Sequence, residues 1–151
     1  MLHIHLVALV LATAAFVASG CGGSSKSNDL TQAELVSKGD AICERVHATL
    51  HANPYRSQAD VGRLAPQLAA YERTAIVEMR KFRPPASLAN DWKQIVEGSE
   101  IIATDTDKLG EDVKQNNAKA ARPLFASSRA VQLKMQAVAE RDGFKNCGQP
   151  G

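Results

Sequence analysis

Aromatic residues make up only 5% of the 151-residue chain, and no stretch alternates Val, Ile, Thr or Tyr with polar residues as a half-buried strand does. A β-sheet core is therefore not expected. An excess of one charge is also missing: 18 Lys and Arg stand against 16 Asp and Glu, a formal net charge of +2, with the two signs interleaved along the chain. Nucleic-acid binders usually carry a basic excess or a basic stripe, so no nucleic-acid partner is expected. No apolar run reaches the roughly 20 residues that a helix needs to cross a bilayer. There is no G-x-S-x-G nucleophile motif and no glycine-rich loop leading into a lysine-bearing helix, which leaves neither a serine-hydrolase elbow nor a phosphate loop. A chain of this length has room for one core, and its abundant alanine favours helices.

What is present begins with an apolar run from Leu6 to Ala18, broken only by Thr13, which is the length of a signal-peptide core. The leader before it, "MLHIH", offers the α-amino group, His3 and His5 in place of Lys or Arg. Ala18, Ser19 and Gly20 then precede Cys21, and the next residues read "GGSSKSND". Gly and Ser at that density form a flexible tether, whereas a cysteine destined for a buried disulfide is more often followed by residues able to pack. With Cys21 set aside, Cys43 and Cys147 remain as an even pair, suited to a disulfide in an oxidising compartment.

Beyond the tether the hydrophobic pattern has helical periods. "LTQAEL" is a helix start, in which Thr31 can accept from the amide of Glu34 while Glu34 reaches back and Leu30 staples against Leu35. Leu35, Gly39, Ile42, Cys43, Val46 and Leu50 share one face, with Asn53 and Pro54 as the stop. A second pattern takes Val61, Leu64, Leu68, Tyr71, Ala75, Met79 and Phe82, capped by Ser57 or Asp60; Pro66 inside it calls for a kink or a later start. Pro84 and Pro85 force a break. The third segment, Leu88, Trp92, Ile95, Ser99, Ile102, Thr106, Leu109 and Val113, steps by four and three, and Trp92 is expected in the core. A fourth uses Ala121, Leu124, Phe125, Ser128, Val131, Met135 and Val138, has Pro123 near its start, and ends at Gly143 as a C-cap. The expected fold is all-α: an antiparallel up-down four-helix bundle. In that topology the end of the fourth helix returns to the level of the first, where Cys43 and Cys147 can be joined.

Two resemblances follow from these residues. The small residues before Cys21 resemble the lipobox of bacterial lipoproteins, with Ala18 where Leu or Val is more usual. This implies a diacylglyceryl group on the Cys21 thiol, cleavage before it, and attachment to the extracytoplasmic side of the cell membrane. "TQAELVSKGDAIC", "FRPPASLANDW" and "AERDGFKNCG" are similar to short lipoproteins of high-GC Gram-positive bacteria, which implies an exported, disulfide-closed helical domain. The resulting organisation is a signal peptide over 1–20, a lipidated cysteine and tether over 21–29, and a bundle over 30–151.

Candidate chemistry is sparse. Glu44 and His47 have the E-x-x-H spacing of di-iron bundles, but such a site needs a second pair and two further glutamates. His47 and His51 are one turn apart and could share a surface Zn²⁺ or Cu²⁺; two solvated histidines near a helix end are the stronger expectation. Asp105, Asp107, Glu111 and Asp112 lack the ligand order of an EF-hand and are expected on a solvated face. No catalytic, cofactor-binding or metal-ligating residue is therefore expected. The expected partners are membrane lipid through Cys21 and a protein of the cell envelope. A non-enzymatic binding or scaffolding module is the expected function, with a small-ligand or metal-binding bundle as the alternative. Labelled palmitate should enter the full-length protein in a bacterial host that processes lipoproteins, and Cys21→Ala should abolish the labelling. Equal labelling of the two proteins would remove the anchor.

Overall fold

A computed structural model describes residues 29–149; the leader, Cys21 and most of the tether lie outside the described residues. Four helices follow in order, α1 (Gln32–Ala52), α2 (Gln58–Met79), α3 (Ala89–Lys114) and α4 (Ala118–Asp142), with a 3₁₀ turn at Ala86–Leu88 leading into α3. The local signals explain the boundaries. Thr31 and Glu34 form the reciprocal capping box at α1, with the Glu34 amide donating to Thr31 Oγ1 (3.3 Å) and the Thr31 amide to Glu34 Oε2 (2.8 Å). Ser57 caps α2 by accepting from the Asp60 amide at 3.1 Å. Gly143 ends α4 in the left-handed region, φ 90°, which lets the Phe144 amide turn back to the Ala139 carbonyl (2.9 Å) and satisfies an orphan acceptor of the last turn.

Pro66 and Pro123 both lie inside continuous helices, so α2 does not start late at Pro66. The Pro66 ring has space because it faces Gly110 on α3, where an added Cβ would come to 2.7 Å of Pro66 Cδ.

Successive helices run antiparallel. Arg45 pairs with Glu78 (2.6 Å) across α1 and α2, Arg73 with Asp107 (2.9 Å) and Arg80 with Glu100 (2.7 Å) across α2 and α3, and Arg141 with Asp91 (2.7 Å) across α4 and α3. These solvent-exposed pairs contribute little energy but mark the register. α2, α3 and α4 pack side by side along their lengths, while α1 lies on α2 and scarcely touches α4. The fold is the expected all-α four-helix bundle, and its core is built from Leu35, Ile42, Ile76, Met79, Ile95, Val96 and Val138, among others.

The gap between α1 and α4 is closed by the segment after α4. Phe144 and Phe82 both stack on Trp92, each with ring centroids 5.7 Å apart, and Trp92 Nε1 donates to the Met79 carbonyl at 3.3 Å. Gly39 of α1 lies against this stack so closely that a Cβ would come to 2.8 Å of the Phe144 ring. The Asp40 carboxylate accepts from the amides of Lys145 (2.9 Å), Asn146 (2.8 Å) and Cys147 (3.2 Å). Cys147 then bonds Cys43 one turn further along α1, with their Cα atoms 5.2 Å apart.

The disulfide closes 104 residues of sequence separation, worth roughly 4 to 5 kcal/mol in the chain-entropy account. The double variant Cys43→Ser, Cys147→Ser is expected to lose stability of that order in urea titrations. Asp40→Ala in the oxidised protein is expected to cost about 2 to 3 kcal/mol, because three amides lose a charged acceptor. Unchanged urea midpoints in both variants would show that the tail does not hold α1.

Candidate functional site

Helical stepping from Leu68 reaches either Tyr71 or Glu72, and the apolar pattern favours the tyrosine. The structure takes the other: Tyr71 is 37% exposed and Glu72 is 9% exposed. Glu72 falls in the stripe Leu64, Ala65, Leu68, Ala69, Ala75, Ile76 and Met79, all of them buried. A carboxylate in the middle of such a stripe is the signal in the sequence that points to this position.

Around Glu72 the helices leave a cavity of about 100 Å³, partly open to solvent. α1 contributes Ile42, Val46, His47 and Leu50, α2 contributes Glu72, Ala75, Ile76 and Met79, and Ser99, Ile102, Gln132 and Met135 come from α3 and α4. The fourth side is the tail, where Gly148 and Gln149, with Cys43 of α1, complete the wall. The space exists because α1 and α4 make little direct contact, and because Ala75 and Ser99 are small where larger side chains would fill the layer.

Glu72 Oε2 is buried without a hydrogen-bond partner. Burial pushes the Glu72 carboxyl up to about 7, against a weaker opposing pull from the neighbouring Arg73. Arg73 itself is turned outward to Asp107 and does not form an ion pair with Glu72. Tyr55, in the α1–α2 connection, has its phenol raised by burial and then by the Glu72 charge. His47 is half-buried and its imidazole is lowered, first by burial and then by the charge of His51, with the Gln149 backbone acting in the opposite direction. The site thus joins an unpaired carboxyl that titrates near neutrality to an imidazole biased toward its neutral form.

The other candidates are dispersed. His51 and Glu44 are exposed, so the E-x-x-H pair is not brought together, and His47 is the member that turns inward, contrary to the solvated pair expected. Among the described residues no group of three His, Cys, Asp or Glu side chains is placed to hold a metal ion. The acidic group of α3 is not one solvated face: Asp105 is buried and accepts from Ser128 Oγ at 3.0 Å, Asp107 pairs with Arg73, and Asp112 accepts from Asn117. Trp92 is core, as expected. Chemically, Glu72 can hold a cation when ionised or donate a hydrogen bond when protonated. Comparison with protein-family models, curated proteins and solved structures gives no match to this chain.

The raised Glu72 carboxyl links stability to pH. Its folded value, about 7, lies above the ordinary 4.5, so between those values the native state holds more protons than the unfolded chain. Stability from this group is present below pH 4.5 and is lost as pH rises through 7. Relative to Glu72→Gln, the wild-type protein is expected to lose about 2 to 3 kcal/mol between pH 5 and pH 8. Parallel stability curves for the two proteins in urea titrations across that range would contradict the assignment.

Proposed function

We propose that this protein is a membrane-anchored lipoprotein of the extracytoplasmic side, attached through Cys21, whose helical domain is a non-enzymatic module that binds a small molecule in the cavity around Glu72. The observation that carries this reading is a preformed, largely apolar interior space lined by one acidic side chain, Glu72, whose Oε2 is buried with no partner of its own. Sites for small molecules combine these features: an apolar wall supplies affinity and a few unsatisfied polar atoms fix orientation. A scaffold for an envelope protein needs neither, which moves the preference from scaffolding to ligand binding.

The anchor and the site are compatible in geometry. Leu30 donates to the Arg83 carbonyl at 2.8 Å and Gln32 to the Asp142 carbonyl at 3.2 Å, so the tether joins the end of the bundle where α1 starts and α2 and α4 finish. Residues 21–29 reach roughly 30 Å at full extension and about 15 to 18 Å as a flexible coil. That end would face the bilayer. The cavity, near Val46 on α1, lies roughly 20 Å further along the helix axis.

Native mass spectrometry of the full-length protein, solubilised gently from its membranes, tests the reading. A small organic adduct should accompany the wild type and be absent from Ala75→Leu, which fills the cavity. An adduct that persists in Ala75→Leu would place the ligand elsewhere, and a wild type with no adduct and no response to added small molecules would leave the scaffold reading in its place.

A further inference from the structure

We infer that the cavity selects a small organic cation, an ammonium head on an apolar body of a few carbons, with the Glu72 carboxylate as its counter-ion. The inference rests on the cavity being the binding site and adds the class of ligand.

The sign of the site comes first. Among the residues lining the cavity there is no Lys or Arg, and Glu72 is the one acidic side chain. Arg73 is held outside by Asp107 at 2.9 Å. An anion would meet an unpaired carboxylate with nothing to offset it, whereas a cation removes the cost of burying that charge alone.

The hydrogen-bonding inventory points the same way. Ser99 Oγ donates to the Ile95 carbonyl at 2.9 Å, which leaves it able only to accept. Gln132 Nε2 donates to the carbonyls of Gly148 and Gln149, which leaves Gln132 Oε1 as its free polar atom. Together with the Glu72 carboxylate, these three side chains present acceptors and no free donor, and His47 and Gln149 complete the polar lining. An ammonium group, three donors and no acceptor, is the complement of that set.

The wall decides between an organic cation and a metal ion. Its other side chains are mostly Ile, Val, Leu and Met, and no three potential ligands of the His, Cys, Asp or Glu type converge among the described residues. A metal would lack a coordination shell, while a short alkyl body would bury apolar area against that wall. A cavity of about 100 Å³ is somewhat smaller than the engineered one of roughly 150 Å³ that holds benzene. It suits a body of about four or five non-hydrogen atoms by the same comparison.

Protonation adds a dependence on pH. Glu72 titrates near 7 and must be ionised to pair, and His47, the titratable group that α1 turns to the cavity, is neutral on the same side of neutrality. α3 and α4 supply no titratable lining residue, and the Tyr55 phenol, raised further, stays neutral throughout. Binding of a cation is expected to tighten about tenfold from pH 6 to pH 8.

The test is calorimetry on the detergent-solubilised full-length protein with n-butylammonium, 1-butanol and butyrate. Butylammonium should bind at one site at least tenfold more tightly than butanol, and butyrate should not bind. Glu72→Gln, which relieves a buried charge, is expected to lose at least tenfold in butylammonium affinity, with its urea midpoint at pH 8 reporting that it is folded. If butanol binds and butylammonium does not, or if Glu72→Gln binds butylammonium as the wild type does, the cation inference fails and the cavity remains a ligand site. If none of the three binds, the cavity reading and the inference fall together.

Discussion

One carboxylate, that of Asp40, joins the two ends of the domain. By accepting from the amides of Lys145, Asn146 and Cys147 it fixes the chain after α4 against α1, and the Cys43–Cys147 bond follows one turn away. α1 depends on this because its direct packing is one-sided: it rests on α2 and has little contact with α4. In most four-helix bundles the first and last helices interdigitate and the core is continuous. Here the tail takes the place of that contact. The stack of Phe82, Trp92 and Phe144 fills one end of the gap, and the remainder stays open as the cavity.

The opposing element is Glu72. A buried carboxyl without a partner costs free energy at neutral pH, on the order of 3 kcal/mol for its displacement from 4.5 to about 7. A leucine at this place would continue the stripe, fill the space and add stability. The disulfide contribution is of the same size, so the covalent closure is large enough for the domain to retain such a group. Groups that reduce stability in this way cluster where a molecule is bound or transformed, and that separates Glu72 from Asp105, which is buried but satisfied by Ser128.

Much of the frame was legible in the residues. The capping box at Thr31 and Glu34, the Ser57 cap, the Gly143 terminator and the joining of Cys43 to Cys147 all depend on local chemistry or on topology that antiparallel helices impose. What was not legible depends on angles that stepping rules leave free. Three residues beyond Leu68 and four residues beyond it are both on the same side of a helix, and Tyr71 was the more apolar choice; the neighbouring alanines, Ala65 and Ala69, rotate the stripe toward Glu72. The inward turn of His47 has the same origin, since it depends on where α1 sits on α2. Which of the two outcomes at Pro66 would hold was not legible for a different reason, because room for its ring is supplied by Gly110, a residue on another helix.

The Asp40 contacts also bear on the order in which the domain matures. They use backbone amides and need no oxidation, so a chain whose helices have packed already carries Cys147 to within a turn of Cys43. Formation of the bond then becomes a reaction between neighbours at high effective molarity instead of an encounter between distant parts of a coil. That difference matters for as long as Cys21 keeps a free thiol, before the proposed acylation. Cys21 belongs to a segment rich in Gly and Ser, and in an unfolded chain it would compete for either partner on statistical terms. A clasp that forms before oxidation would direct thiol–disulfide exchange to one pairing through a hydrogen-bonded carboxylate.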